Sequence, residues 1–319
     1  MFQKLCLVIA LASTSLPALA EDWPEKPVRI VVPYTAGGTT DFVARQVAQK
    51  LTESMGKSFF VENKPGASGT IGTLQVARSA PDGYTLLAND TTYTMLPSLF
   101  KTLPWDYNSD LVPVTTIAQT PVILIVPTGS RFKTLQELIT FARQNPGKLN
   151  FGSGGAGSST HLSAEVFKKD AGVTLTHIPY KGAGDALMGL IGNNVDILIT
   201  ATPTAVPQIK GGKARALAVT GGARVPALPD VPTFAEAGLK DYKVVNWFGL
   251  AAPRGTPPAL VTRLQVEVQK SVNSPEVKER LTSMGAQPGG IAPADFARRI
   301  KDDTALWSQV AKSADVKAE

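Results

Sequence analysis

One cysteine, two histidines and a single short apolar run at the amino terminus: these shortages narrow what a chain of 319 residues can be. The lone cysteine is Cys6, inside "LCLVIALAS", which follows the charged start "MFQK" and precedes Ala18-Leu19-Ala20. A positive start, a short apolar core and an A-x-A site form a secretory leader, so residues 1–20 are expected to be removed after Ala20. A lipid anchor would need a cysteine at the far end of that stretch. The mature chain then has no cysteine, which excludes disulfides, a thiolate nucleophile and cysteine metal ligands. With only His161 and His177 left, the count argues against a histidine-built zinc site as well, and no metal or cofactor is expected. Nothing after the leader approaches the eighteen apolar residues of a membrane span. Aromatics make up 7% of the chain and its +6 charge is scattered, which argues against nucleic-acid binding. The expected compartment is the periplasm.

Apolar content of 43% in about three hundred mature residues supports one large core or two ordinary ones. The amino-terminal part alternates strand and helix. "VRIVVP" (Val28 to Pro33) is a continuous apolar run suited to a sheet covered on both faces. A helix is predicted from Thr39 to Met55, with Val43, Val47, Leu51 and Met55 in one stripe and Gly56 as its cap. "SFFVEN" and "YTLLAN" make further strands, with a helix ending near Ala80 between them. The unit recurs from "VILIVP" (Val122 to Pro127) through helices at Thr134–Pro146, from Ser159, and around "DALMGLI", with strands "TLTHIP", "VDILIT" and "ALAVT". The last third reads as three helices. Interleaved strands and helices predict an α/β fold with parallel sheets, and two such units predict two lobes with a cleft at the strand ends.

Two glycine loops draw the eye. "NFGSGGAGSSTHLSAEVF" carries Gly152, Gly154 and Gly157 in G-x-G-x-x-G spacing, and "PYTAGGTTDFVAR" passes Gly37-Gly38 into a helix. A dinucleotide site also needs an acidic residue about twenty positions on, where this chain has His177 and Tyr180. "LTESMGKS" lacks the first glycine of a P-loop. What both loops share is a helix start rich in hydroxyls: Thr39 and Thr40 in one, Ser158, Ser159 and Thr160 in the other. Free backbone N–H groups and the helix dipole make each a partial positive site for an anion. Each loop alone also reads as a capped helix; as a pair, one per lobe, they suit a clamp on a carboxylate. Asp41 is read chiefly as a capping residue and His161 as a loop-bound residue, since no nucleophile elbow or orienting acid accompanies it. Trp247 fits a pocket wall or the core equally well.

Read together, "WPEKPVRIVVPYTAGGTTDFVAR", "VENKPGASGTIGT", "APDGYTLL", "HIPYKG", "ALAVTGGARVPALPDVPTFAEAG" and "WFGLAAPRGTP" resemble the extracytoplasmic solute receptors of tripartite tricarboxylate transporters, the Bug receptor family. The resemblance covers nearly the whole mature chain. It implies a two-lobed periplasmic binding protein of the type II, Venus-flytrap kind, with lobe 1 at 21–120 plus 226–319 and lobe 2 at 121–225. It implies a non-enzymatic monomer that captures a small carboxylate (a dicarboxylate, an aromatic acid or an acidic amino acid) and hands it to membrane permease subunits. One arm of the clamp is then Gly38, Thr39, Thr40 and Asp41, with Tyr34 at the head of that loop; the other is Ser153, Gly154, Ser158, Ser159 and Thr160. The loop Asn89 to Tyr93, with Thr91, and the small residues Ala201, Thr202 and Thr204 are expected around the far end of the ligand. The chain departs from the family where Gly184 precedes Asp185 instead of proline. Two other readings use the same residues: a periplasmic hydrolase built on His161, and a co-receptor for a membrane sensor kinase.

Overall fold

The computed structural model describes residues 23–314 and 316; the expected leader lies outside the described residues. Strand β1 (Val28–Val32) has Val28, Ile30, Val31 and Val32 fully buried, as a strand covered on both faces requires. Helix α1 (Thr39–Met55) follows and ends at Gly56, whose φ of 71° is the left-handed cap conformation. Next come β2 (Phe59–Asn63), α2 (Thr70–Ala77), β3 (Thr85–Asp90) and the short α3 (Leu96–Leu99). Strand β4 (Leu111–Pro127) is 17 residues long and leads into α4 (Leu135–Gln144), β5 (Asn150–Ser153), α5 (Ser159–Ala171) and β6 (Thr176–Pro179). Then follow α6 (Ala183–Ile191), β7 (Ile197–Ala201), α7 (Thr202–Lys210), β8 (Ala214–Val219) and β9 (Val245–Pro253). Helices α8 (Pro258–Asn273) and α9 (Pro275–Ser283), the two-residue β10 (Gln287–Pro288) and α10 (Pro293–Ser313) complete the described chain.

The main strand path runs β2-β1-β3-β9-β4-β7-β5-β6, with β8 and β10 also paired to β4. β1 pairs in parallel with β2 and β3, and β5 in parallel with β6 and β7, so each end of the sheet is the parallel α/β unit expected from sequence. The middle is antiparallel. β4 pairs with β9 from Leu111 to Pro121, then with β7 and β8 from Val122 to Pro127. The change of partner between Pro121 and Val122 coincides with the boundary expected between the lobes.

Separate cores sit on either side of that crossing. β1, α1 and α8 bury Ile30, Val47, Leu51, Leu264 and Val268 together, while the opposite face of the same strands packs Val31, Leu87, Trp247 and Phe296. Beyond the crossing, Leu124, Leu138, Phe151, Phe167 and Ile199 form one core and Ile123, Leu187, Leu190 and Leu198 another. Burial of this size stabilises each half by about 1.5–3 kcal/mol per fully buried large side chain. The segment after β8 departs from expectation. Its Phe234 and Tyr242 belong to the second core, with ring centroids 4.4 Å apart, and the Tyr242 hydroxyl donates to the Ser163 carbonyl of α5. Side chains of the 226–244 segment therefore pack with the residues expected in lobe 2.

Candidate functional site

α1 begins without a side-chain cap. Its N-cap is Gly38, which has no side chain to accept from the first turn, so the first-turn N–H groups stay aimed past the end of the helix. Gly37 needs to be glycine, at φ 86°, but Gly38 sits at φ −81°, an ordinary extended conformation. Asp41 ties the loop down: its carboxylate accepts from Gly37 N (3.2 Å), from Arg45 Nε (3.0 Å) and from Asn63 Nδ2 (3.0 Å). Burial pushes that carboxyl up, but Arg45, Asn63 and the Gly37 N–H outweigh it and hold the group ionised below its ordinary value.

A second carboxylate lies behind the first turn. Asp90, at the end of β3 and 6% exposed, accepts from Thr40 Oγ1 (2.8 Å) on one oxygen and from Thr92 N (2.8 Å) and Tyr34 Oη (3.1 Å) on the other. Its burial raises the carboxyl above the ordinary value, against the pull of those donors.

α5 is built differently. Ser158 caps it, accepting from His161 N at 3.3 Å, and Thr160 Oγ1 accepts from Gly154 N at 2.8 Å. Gly155 and Gly157 take φ values of 125° and 73°, so this loop does need its glycines. Below it the two histidines stack, ring centroids 3.7 Å apart and 9° from parallel, with Phe151 stacked on His177 at 4.9 Å. His161 Nδ1 accepts from Gly157 N (2.9 Å) and His177 Nε2 meets Ser153 Oγ at 2.6 Å. Burial, and then the neighbouring His161, push His177 down to about 4, so the ring is neutral at pH 7.

The two loops meet. Thr39 and Thr204 share a hydrogen bond of 2.8 Å, Ser159 N donates to Thr92 Oγ1 at 3.0 Å, and the Ser68 hydroxyl donates to the Ala156 carbonyl. Between them lies a cavity of about 30 Å³, room for a water or two, so a larger ligand enters only when the lobes part. Tyr34, Gly38, Thr39, Thr40, Asp41, Gly154, Ser158, Ser159 and Thr160 all line it. Three expected residues do not. Thr91 Oγ1 accepts from Trp247 N (2.9 Å), Ser153 serves His177, and Thr202 Oγ1 donates to the Gly285 carbonyl (2.9 Å). Thr92 faces the cavity where its neighbour Thr91 turns to Trp247, and on α7 it is the expected Thr204, two residues after Thr202, that lines it. Asp90 belongs to the expected loop Asn89 to Tyr93 but was not singled out in it, and Asn246 was passed over, though both stand at strand ends, where ligands of α/β sheets bind. Trp247 is core: fully buried, edge-on to Phe296, its indole N–H donating to Asp303 at 2.7 Å. Among the described residues no cluster of three or more His, Cys, Asp or Glu could hold a metal ion, and no helix is long and apolar enough to cross a membrane.

Residues 43–316 match the family model for the tripartite tricarboxylate transporter family receptor. The chain belongs to that family. The receptor is similar to a protein encoded in the tcbD–tcbE intergenic region of Pseudomonas sp. strain P51, 38% identical over 306 residues, 95% of this chain and 91% of the relative. Among solved structures it resembles Rpa4515 of R. palustris with adipate, at TM-score 0.89 and 39% identity, covering 92% of this chain and 99% of that one. It also resembles MatC of Rhodopseudomonas palustris with bound malate, at TM-score 0.84 and 32% identity, covering 90% of this chain and 99% of that one. These likenesses span both lobes of the receptor, including the two glycine loops.

Proposed function

We propose that this chain is a periplasmic receptor that captures a small carboxylate between its lobes and delivers it to the membrane subunits of a tripartite tricarboxylate-type transporter. The observation that carries the reading is the uncapped amino terminus of α1 at the cavity between the lobes. Unspent N–H groups and the helix dipole stabilise a carboxylate without a neutralising side chain, and Asp41, paired with Arg45, leaves that field intact. The adipate and malate named for the two solved relatives are the ligand class such a site would take. In this reading the hinge lies at 121/122 and near 244/245, the leader is cleaved after Ala20, the protein acts as a monomer without a cofactor, and no catalysis occurs. The contacting residues are Tyr34, Gly38, Thr39, Thr40 and Asp41 in one lobe and Gly154, Ser158, Ser159 and Thr160 in the other.

Thermal melts against C4 to C6 dicarboxylates, acidic amino acids and benzoate-type acids, each beside its amide, test it. A ligand at a hundred times its dissociation constant stabilises by about 2.7 kcal/mol, which for a protein of this size is a shift of several degrees. Acids should shift the midpoint and amides should not, because an amide carries no charge and turns a donor toward donors. Equal shifts from an acid and its amide would refute carboxylate recognition.

A further inference from the structure

Capture of an anion leaves one feature of the cleft unexplained: a second, buried carboxylate in the same wall. Asp90 lines the cavity together with Thr39, Thr40 and Ser159. As drawn by its hydrogen bonds, Thr40 spends its only hydroxyl proton on Asp90 and offers the cavity nothing but lone pairs. An incoming carboxylate would then face the α1 N–H groups beside a like charge and a hydroxyl turned the wrong way. One proton reverses both. Protonated at the oxygen that Thr40 now serves, Asp90 donates to Thr40 Oγ1, and the Thr40 hydroxyl proton is freed to donate toward the ligand. The other Asp90 oxygen keeps Thr92 N and Tyr34 Oη, so nothing else need move.

We infer that this receptor takes up its carboxylate together with one solvent proton, held between Asp90 and Thr40, which makes Asp90 a positioning residue that sets the charge the cleft accepts. The inference rests on the carboxylate reading above. Two carboxylates enclosed in one water-poor site do not both stay ionised, and burial already lifts the Asp90 carboxyl before any ligand arrives. Of the other titratable groups near the cleft, Tyr34, Asp41 and His161 have partners of their own. Tyr34, from the loop after β1, is pushed well above its ordinary value by burial and by Asp90, and stays protonated. On α1, Asp41 is neutralised by Arg45 at 2.8 Å. On α5, His161 is fixed to Gly157 N and stands 3.5 Å from Glu165, which also pairs with Lys168. α6 contributes Asp185 near its start, while β9 and α7 present only Asn246, Phe248 and Thr204 to the cavity.

Titration calorimetry of the mature protein with adipate, at about pH 7 to 8 where adipate is fully ionised, reads the proton directly. The observed heat is compared across buffers of different protonation enthalpy. We expect close to one proton taken up per ligand, and an affinity that weakens by up to tenfold per pH unit as pH rises. Asp90→Asn mimics the protonated group: its carbonyl oxygen accepts from Thr92 N and Tyr34 Oη and its amide donates to Thr40. That variant should bind without proton uptake, independently of pH, and at pH 8 at least as tightly as the wild type. Heats that do not vary with buffer in the wild type would overturn the inference without touching carboxylate capture. Uptake that persists in Asp90→Asn would overturn it too, by placing the proton elsewhere. Failure of every carboxylate in the melting screen would remove the carboxylate reading and this inference with it. The wild-type buffer series decides the question even if Asp90→Asn folds poorly.

Discussion

Gly184→Ala should separate closure of the lobes from folding of either one. Gly184 is the second residue of α6 and has no left-handed φ, so alanine suits its own helix and by itself stabilises that helix by roughly 0.5–1 kcal/mol. Across the cleft the outcome reverses. A Cβ there would collide with the Ala36 carbonyl oxygen and come within 3.2 Å of Gly37 C and Gly38 N, all backbone atoms of the loop that opens α1. Backbone cannot swing aside as a long side chain can, so the lobes must stand apart. Opening them breaks the inter-lobe hydrogen bonds Thr39–Thr204, Ser159–Thr92 and Ser68–Ala156. At about 0.5–1.5 kcal/mol each they total roughly 1.5–4.5 kcal/mol, a tenfold to thousandfold loss of affinity. Calorimetry with a carboxylate that stabilises the wild type gives the affinity, and small-angle scattering gives the ligand-induced compaction. The unliganded melting temperature should stay level or rise. A Gly184→Ala protein that binds within threefold of wild type and still compacts would refute the argument that this approach defines the closed form.

Other substitutions probe the same geometry. Gly38→Ala should bind nearly as wild type, since its Cβ would lie 3.6 Å from Gly184 N and 3.8 Å from the Ala183 Cβ, while the larger Gly38→Val should weaken binding at least tenfold; calorimetry on both distinguishes crowding from a conformational need for glycine. Thr204→Val should lower affinity with little change in melting temperature, because it removes a bond between lobes, whereas Thr202→Val should cost about 1 kcal/mol of stability and leave affinity alone; a reversed pattern would mean the cleft is assigned to the wrong hydroxyl. The folded-state value of His177 is depressed from 6.5 to about 4, so the unfolded chain binds the extra proton first and stability drains away as pH falls through that window. Urea midpoints should therefore drop between about pH 7 and pH 4.5 by an amount equivalent to roughly 2–3 kcal/mol, and His177→Gln should remove that part of the slope.

The elements that were legible in the sequence are those whose signals are local. Val43, Val47 and Leu51 all come out fully buried on α1, and Gly56 takes the left-handed cap that its position foretold. What escaped depended on distant partners. α7 starts "TPTAVP", with Pro203 in the first turn, where its missing N–H costs nothing, and Pro207 further in, so the proline pattern hides a helix. β9 reads "VNWFGLAAP", buried on both faces without alternation, and becomes a strand only because β3 and β4 flank it. The packing of the 226–244 segment has the same origin. Nothing in the order of residues 226–244 says that Phe234 and Tyr242 will settle beside Phe167; that packing exists only once the second core has formed.

At the site, the backbone was easier to foresee than the side chains, and the reason bears on how the cleft works. Glycine spacing and hydroxyl-rich helix starts located both loops, and nine of the expected residues line one cavity. Yet the two helix starts are not equivalent, as the sequence made them look. α1 has no cap, and its donors remain for a ligand; α5 is capped by Ser158, and Ser159 N is spent on Thr92 of the other lobe. A capped terminus has less of its dipole field to offer an anion, because the donors that carry the partial charge are already paired. On the proposed reading, charge recognition therefore falls mainly to the lobe that holds α1, and the α5 loop latches the lobes once the anion is in place. This division explains why the glycines with left-handed φ cluster at Gly155 and Gly157, in the loop that must fit against Ser68 and Leu99. The recognising loop needs only one, at Gly37, because a helix start left uncapped has little to do but point its N–H groups at the cleft.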